Sequence, residues 1–419
     1  MRFIHASDLH IDSPLRGLDR YDGAPVERLR NATRSALERL VDRALAERVD
    51  FLLLAGDIYD RDWQDFHTGL FFRGQMVRLE RAGIRCFIVQ GNHDAQGVIS
   101  RQLTLPTNVT VFSSRAAQTI RLDDLSVAIH GRSFPEREVN EDLVPSYPSP
   151  VPGCFNIGLL HTSLTGRVGH DTYAPTDLPT LVAKGYDYWA LGHVHAREVL
   201  SERPRIVFCG NLQGRHAKET GAKGCELVTV EAGRVEAEFI ALDVVRWSQL
   251  FVSLDGVDRL ESLNEAFARV LEPVLAGTTD RLHAVRVTLT GSTELHRLEA
   301  AQPGTLAAAM HAAAQDIGTA EIWIEQVRLD LSTPLDRAQA AQRQDAVGEL
   351  VRLVDSILGD EAELMRRAQL ELGELLGAMP AEVAAGDVPR LGDPAELRSL
   401  LMDAEATVLA RLSVPGEDA

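Results

Sequence analysis

The sequence predicts an α/β fold whose sheets are layered between helices, followed by a small α+β domain and a helical C-terminal tail. Three observations predict it. Over residues 1–245, short apolar runs alternate with segments of helical period. After Val245 the order becomes β-α-β-α-β, the texture of a separate small domain. Beyond Pro334 the chain turns rich in Ala and Leu, and acidic. A chain of 419 residues has room for two or three domains, placed at 1–245, 246–334 and 335–419.

Taken in order, the strand candidates of the first domain are Arg2–Ser7, Phe51–Gly56, Arg85–Gln90, Leu125–His130, Phe155–His161, Tyr188–Gly192, Arg205–Gly210, Glu226–Val230 and Arg234–Ala241. Helices fill Val26–Glu47 and Thr68–Ala82; in the first, Leu29, Leu37, Leu40, Val41 and Leu45 recur near every 3.6 residues. Val144–Gly153 carries four prolines and reads as a surface loop. The small domain reads as strands Leu250–Leu254, Leu282–Thr290 and Glu321–Leu331 around helices Val257–Leu275 and Glu294–Asp316. The tail reads as helices Arg337–Gly359, Glu361–Met379 and Pro394–Leu412, with a break at Ala385–Asp393.

Hydrophobic residues at 45% and charged residues at 25% exclude a disordered chain and a membrane bundle. No apolar run reaches the roughly 18 residues of a spanning helix, and the N-terminus lacks a secretory signal, so a cytoplasmic protein is expected. The net charge of −18 argues against coating nucleic acid by bulk charge, although bound metals can reverse the sign locally. Sixteen acidic and seven basic residues from Ala341 onward place half of that excess in the last fifth. Cys86, Cys154, Cys209 and Cys225 form no C-x-x-C pair and read as buried free thiols.

The chemistry gathers at strand ends. The blocks are Asp8-Leu-His10, Gly56-Asp57, Gly91-Asn-His-Asp94, His161 and Gly192-His-Val-His195. Carboxylate, amide and imidazole donors in such places suit a metal site built on a rigid sheet. Residues two apart on a strand face one side, so D-x-H and H-x-H can each converge on an ion. The glycines at 56, 91 and 192 would let the chain turn sharply. Any one block alone is a common chance occurrence; five in order on strand ends are not. His5 reads as packing. His130, His170 and His216 match no block and read as structural or solvated.

These blocks resemble the calcineurin-like metallophosphoesterase superfamily, and Phe3-Ile-His-Ala-Ser-Asp-Leu-His10 resembles its DNA-repair exonuclease branch of SbcD-, Mre- and YhaO-type proteins. The motifs cover residues 1 to about 225, and the remainder matches by architecture only. The resemblance implies a four-layer β-sandwich flanked by helices and a two-metal site holding Mn²⁺. Asp8, His10 and His195 would hold one ion. Asn92, His161 and His193 would hold the other, with Asp57 bridging. His93 looks like the catalytic histidine, and Asp94 would orient His93 or a ligand. Asp60 stands where some members carry a histidine, and it could accept a hydrogen bond from His93 or a ligand histidine. Arg61, beside it, is either a loop charge or functional.

The loop Cys209–Gly224 carries Arg215, His216, Lys218 and Lys223 among glycines. It resembles a YhaO-type loop that could grip phosphates, with Arg215 and His216 as the substrate-binding candidates. The function implied is a metal-dependent DNA exo/endonuclease acting in DNA repair with an SMC-like coiled-coil ATPase, and the resemblance also suggests a homodimer. Domain 246–334 would be its cap or DNA-binding domain. The alternatives are a small-molecule or cyclic-nucleotide phosphodiesterase or a phosphoprotein phosphatase on the same core, and a scaffold with vestigial metals. The block at 91–94 with the G-H-x-H disfavours the phosphoprotein branch. The extra domain disfavours a minimal esterase. Leu350, Val351, Leu353, Val354, Ile357, Leu358, Leu364, Leu370, Leu372, Leu375 and Leu376 offer more apolar surface than the tail helices can bury among themselves. That surface either packs on the core or meets the ATPase.

Overall fold

The computed structural model describes residues 1–13, 23–60, 66–95, 104–164, 173–318, 320–379 and 391–412; Arg61, His170 and most of the break at 385–393 lie outside them. The described chain forms two units, Met1–Ser248 with Asp280–Ala284, and Gln249–Thr279 with Val285–Ala419. Most of 246–334 and all of 335–419 fall within the second.

The first unit contains β1 (Arg2–Ala6), α1 (Val26–Glu47), β2 (Phe51–Ala55), α2 (Phe66–Arg81), β3 (Arg85–Val89), β4 (Val109–Val111), β5 (Gln118–Leu122) and β6 (Val127–Gly131). There follow β7 (Phe155–His161), α3 (Leu178–Ala183), β8 (Tyr188–Gly192), β9 (Glu198–Glu202), β10 (Arg205–Phe208), β11 (Gly224–Glu231) and β12 (Arg234–Ala241). One six-stranded sheet runs β12-β11-β1-β2-β3-β4 and another β5-β6-β7-β8-β10-β9.

Alternation along each strand builds the layers. Phe3, Phe51, Leu53, Phe87 and Val89 point inward to meet Ile157, Leu159, Tyr188 and Ala190 of the other sheet. Ile4, Leu52, Leu54 and Ile88 point outward beneath Leu37, Leu40 and Val41 of α1 and Phe72 and Met76 of α2. On the far side, Leu160, Trp189 and Leu191 pack against Leu143, Val144, Tyr147 and Leu181. Central strands buried on both faces explain the unbroken apolar runs Phe51–Ala55 and Ile157–Leu160. Two sheets flanked by helices are the layers that the resemblance implied.

The proline-rich stretch is largely the exposed loop expected, anchored at two buried residues, Val144 and Tyr147. It contains a turn of 3₁₀ helix at Val144–Ser146, and the buried Tyr147 hydroxyl donates to the Leu159 carbonyl at 2.9 Å. Cys86, Cys209 and Cys225 are buried thiols, while Cys154 is half-buried.

In the second unit, β13 (Val245–Ser253), β14 (Leu282–Ser292) and β15 (Glu321–Ser332) form a three-stranded sheet in that order, with the first strands entering from the first unit. Its apolar face packs on α4 (Leu260–Leu275), α5 (Leu295–Ala301) and α6 (Thr305–Asp316) through Leu263, Phe267, Leu271, Leu306 and Met310. The single helix expected over Glu294–Asp316 is two, because Pro303 has no N–H to donate and Gly304 takes φ 93°.

The tail contains α7 (Arg337–Ala341), α8 (Ala346–Leu358), α9 (Glu361–Gly377) and α10 (Pro394–Leu412). Asp345 caps α8 by accepting from Gly348 N–H at 3.1 Å, which splits the helix expected over Arg337–Gly359. Helix α10 packs against α5, α8, α9 and β15. Val351, Val354, Ile357 and Leu364 are buried, yet Leu353, Leu370 and Leu375 stay exposed. Among the described residues no helix is long and apolar enough to cross a membrane.

Candidate metal centre

Strands β1, β2 and β3 are parallel neighbours, as are β7 and β8, so the ends of each set open on one edge of its sheet. The loops leaving β1 and β2 are tied by Asp8 N–H to Gly56 O and by His10 N–H to Asp57 O, each at 3.0 Å. Asp8, His10, Asp57 and His193 all take positive φ, at 52°, 43°, 52° and 102°. Four non-glycine residues held in a sparsely populated conformation at one spot are the kind of strain that surrounding structure enforces at a functional site. Only Gly56 serves the sharp turn expected of the glycines, at φ 94°. Gly91 and Gly192 are required by space instead: a Cβ would stand 2.3 Å from Asp57 Oδ1 at Gly91 and 1.8 Å from the Ala55 carbonyl at Gly192.

The seven candidate ligands converge. Donor atoms of Asp8, His10 and His195 lie within 4.8 Å of one another, and so do those of Asp57, His161 and His193. Asp57 Oδ2 stands between the groups, 3.8 Å from His10 Nε2 and 3.6 Å from His161 Nε2. Asn92 Oδ1 is 3.0 Å from His161 Nε2. A third trio, His10, Asp60 and His93, has the same spacing.

This donor set fits divalent cations. His161 Nδ1 lies 2.9 Å from the Ala55 carbonyl, which can only accept, so Nδ1 carries the hydrogen. The neutral ring then presents its Nε2 lone pair to the lone pairs of Asn92 Oδ1, and a cation resolves that opposition. Nε2 atoms of His10 and His195 approach to 3.2 Å, and buried His10 Nδ1 has no hydrogen-bond partner among the described residues. Burial pushes the Asp8 carboxyl above its usual range, and burial lowers His10, helped by the Arg215 charge. Both shifts follow first from desolvation, which disfavours the charged form of each group. Imidazole with carboxylate and no thiolate suits Mn, Fe or Zn in a reactive role rather than structural zinc.

Around the donors, Ser7 Oγ donates to Asp8 Oδ2 at 2.6 Å and the His193 N–H reaches Asp8 at 3.0 Å. His93 Nδ1 lies 2.7 Å from Asp60 Oδ1, and Ser13 Oγ donates to Asp60 Oδ2 at 2.6 Å. Asp94 lies beside the loops that carry Asp57 and Asn92. It accepts from the N–H groups of Ile58, Tyr59 and Gly91 at 3.1, 3.0 and 3.2 Å, pinning those loops. Burial, then the neighbouring Asp57, push it up to about 7.

Arg215 differs from the phosphate grip expected of it. Its guanidinium faces inward between Asp60 Oδ2 at 3.6 Å and Glu219 Oε1 at 3.4 Å, so two carboxylates already offset its charge. His216 and Lys218 are exposed, and buried Lys223 donates to the His195 carbonyl at 2.7 Å. His130 is structural, bonded to Thr119 and Asn156. Sequence reasoning missed Ser7, Ser13, Asn211 and Glu219. Glu219 accepts from His195 Nδ1 at 2.6 Å. Burial pushes its carboxyl up, but the His195 hydrogen bond and the Arg215 charge hold it well below the usual range. The one signal for it was an acid four residues after Arg215 in a loop already singled out.

Residues 1–197 match the calcineurin-like phosphoesterase family model, and residues 247–332 match the middle domain of the metallophosphoesterase YhaO. An uncharacterised metallophosphoesterase YhaO of Bacillus subtilis is 34% identical over 379 residues, 88% of this chain and 90% of that protein. The DNA double-strand break repair protein Mre11 of Methanopyrus kandleri is 24% identical over 212 residues, 46% of this chain and 44% of its own. A dimetal phosphatase from Danio rerio overlaps 58% of this chain and 96% of its own, at 10% identity and a TM-score of 0.37.

Proposed function

This chain belongs to the calcineurin-like metallophosphoesterases, hydrolases of phosphoesters, and from that premise we propose a Mn²⁺-dependent DNA nuclease of the cytoplasm, acting in DNA repair with an SMC-like coiled-coil ATPase. The observation that carries the reading is His93, paired through Nδ1 with Asp60 at 2.7 Å beside the donor cluster. An alkoxide leaves a diester poorly unless a proton arrives with it, so a cleaver of DNA strands needs a held acid. The similarity to an archaeal Mre11 supports the same substrate.

Asp8, His10 and His195 would hold one divalent ion, and Asn92, His161 and His193 the other, with Asp57 shared. What such a pair supplies is an activated water and charge neutralisation in an in-line phosphoryl displacement. The chain's own residues do the rest. The Asp60 carboxylate accepts from His93 Nδ1–H, so the proton His93 exchanges with substrate is the one on Nε2. Ser13 and Arg215 fix Asp60 in turn. Asp94 keeps the loops after β2 and β3 together by holding their backbone N–H groups. His216 and Lys218, exposed on the same loop as Arg215, are left to meet phosphates.

The ATPase proposal rests on Leu370 and Leu375, 68% and 58% exposed on an acidic helix, α9. Purified protein with Mn²⁺ is tested on labelled single- and double-stranded DNA beside bis-p-nitrophenyl phosphate. DNA cleavage is expected; hydrolysis of the small ester alone would replace the proposal with a small-molecule phosphodiesterase. Leu370→Glu should abolish co-purification with the ATPase while short DNA is still cut.

A further inference from the structure

Glu219 sits on the loop between β10 and β11, almost fully buried, and apart from the His195 ring each of its side-chain hydrogen-bond partners among the described residues is a fixed donor. Its Oε2 receives Arg215 N–H at 2.8 Å and Asn211 Nδ2 at 3.0 Å. The same Asn211 nitrogen donates to the Gln213 carbonyl at 2.8 Å, which fixes its amide orientation. Its Oε1 faces Arg215 Nη2 at 3.4 Å and His195 Nδ1 at 2.6 Å. A backbone N–H and an amide NH₂ cannot accept, so Oε2 carries no proton, and the Arg215 guanidinium beside Oε1 holds the group as a carboxylate. The hydrogen in the short contact therefore comes from His195. With Nδ1 protonated, the neutral ring must carry its lone pair on Nε2, the atom 3.2 Å from His10 Nε2.

We propose that Glu219 is a positioning residue that locks His195 in the tautomer able to bind metal, and that Arg215 and Asn211 exist to hold Glu219 in place. The inference rests on the two-metal reading of the site and is independent of the substrate. Arg215 then links two devices, because the same guanidinium faces the Asp60 that pairs with His93. Carboxylates placed behind metal-ligating histidines typically change metal affinity about 10–100-fold when removed.

Glu219→Gln tests it sharply. If the new NH₂ faces Arg215 N–H and Asn211, donor meets donor. If it faces His195, the ring must move its hydrogen to Nε2 and lose the lone pair. Full-length wild-type and variant proteins, stripped of metal, are titrated with Mn²⁺ by calorimetry. Wild type is expected to take two ions; the variant should take one with near wild-type affinity and the other about 10–100-fold more weakly. A variant that binds both ions as tightly as wild type, whatever its thermal stability, would overturn the proposal. A second measurement needs no variant: long-range ¹H–¹⁵N spectra of histidine-labelled, metal-free wild type should show His195 protonated at Nδ1. The opposite tautomer would also overturn it. Absence of DNA cleavage alongside normal two-ion binding would instead remove the nuclease proposal and leave this one standing.

Discussion

His5 lies on the inner face of β1, and both its ring nitrogens are engaged: Nδ1 with the Tyr188 hydroxyl at 3.1 Å and Nε2 with the Leu191 carbonyl at 3.2 Å. A carbonyl only accepts, so Nε2 donates and Nδ1 accepts from the hydroxyl, a pattern that needs the neutral ring. Burial lowers this group from 6.5 to about 4. Between those values the unfolded chain binds a proton that the folded protein refuses. Stability from this group is therefore complete above about pH 6.5 and falls toward pH 4, by about 1.4 kcal/mol per pH unit. In metal-free protein, His5→Leu should show a shallower pH dependence of the urea midpoint across that window; an unchanged slope would refute the assignment. His93→Ala should retain two Mn²⁺ ions while turnover drops about 10²–10⁴-fold, read by metal analysis beside DNA cleavage. The strand-end donors were legible because each block is contiguous and its chemistry leaves few other uses. Glu219 was not, since its partner His195 is 24 residues away and only the fold brings them together.

Helix α1 was legible to the residue, because a 22-residue amphipathic segment leaves one register in which Leu37, Leu40, Val41 and Ala44 meet the sheet. Strands β4, β5 and β9 carried no such signal. They are at or near sheet edges with mostly half-buried residues, so neither an apolar run nor strict alternation marks them. The end of α1 reveals a cost the periodicity hides. Arg48 caps it at φ 50°, ψ 49°, its N–H bonded to the carbonyls of Ala44 and Leu45. A side chain in that left-handed conformation costs about 1–2 kcal/mol, partly offset by the extra freedom glycine gives the unfolded chain. Arg48→Gly should therefore raise stability by about 0.5 kcal/mol, visible as a higher urea midpoint. A lowered midpoint would mean that the exposed arginine contributes something the cap geometry does not contain.

At the scale of the molecule, composition and texture located the change near residue 245 but missed that the chain returns. Asp280–Ala284, between α4 and β14, belongs to the first unit although its flanks belong to the second. No periodicity announces five such residues, which are held by buried Leu282 and Ala284, by Leu282 N–H on the Val244 carbonyl at 3.0 Å, and by charge. Arg281 Nη1 lies 2.9 Å from Oδ1 of the fully buried Asp243, which also pairs with Arg246 at 2.9 Å. A buried carboxylate stripped of one partner keeps its desolvation cost and loses the attraction that offset it, typically about 3–5 kcal/mol. The remaining Arg246 puts Arg281→Met at the lower end, about 3 kcal/mol, measured by urea denaturation of the metal-free full-length chain. Asp280→Asn is the contrast: that carboxylate is 56% exposed, and its ion pairs with Arg281 at 3.0 Å and Arg39 at 3.4 Å should be worth under about 1 kcal/mol. It follows that a fragment ending at Ser248 keeps all seven candidate ligands yet is destabilised as Arg281→Met is, because it too takes the Arg281 guanidinium from Asp243, leaving Arg246 and the Lys223 N–H. Mn²⁺ should restore part of its stability by mass action. A fragment as stable as the full-length chain's first unit would show that the returning segment decorates this unit rather than completing it.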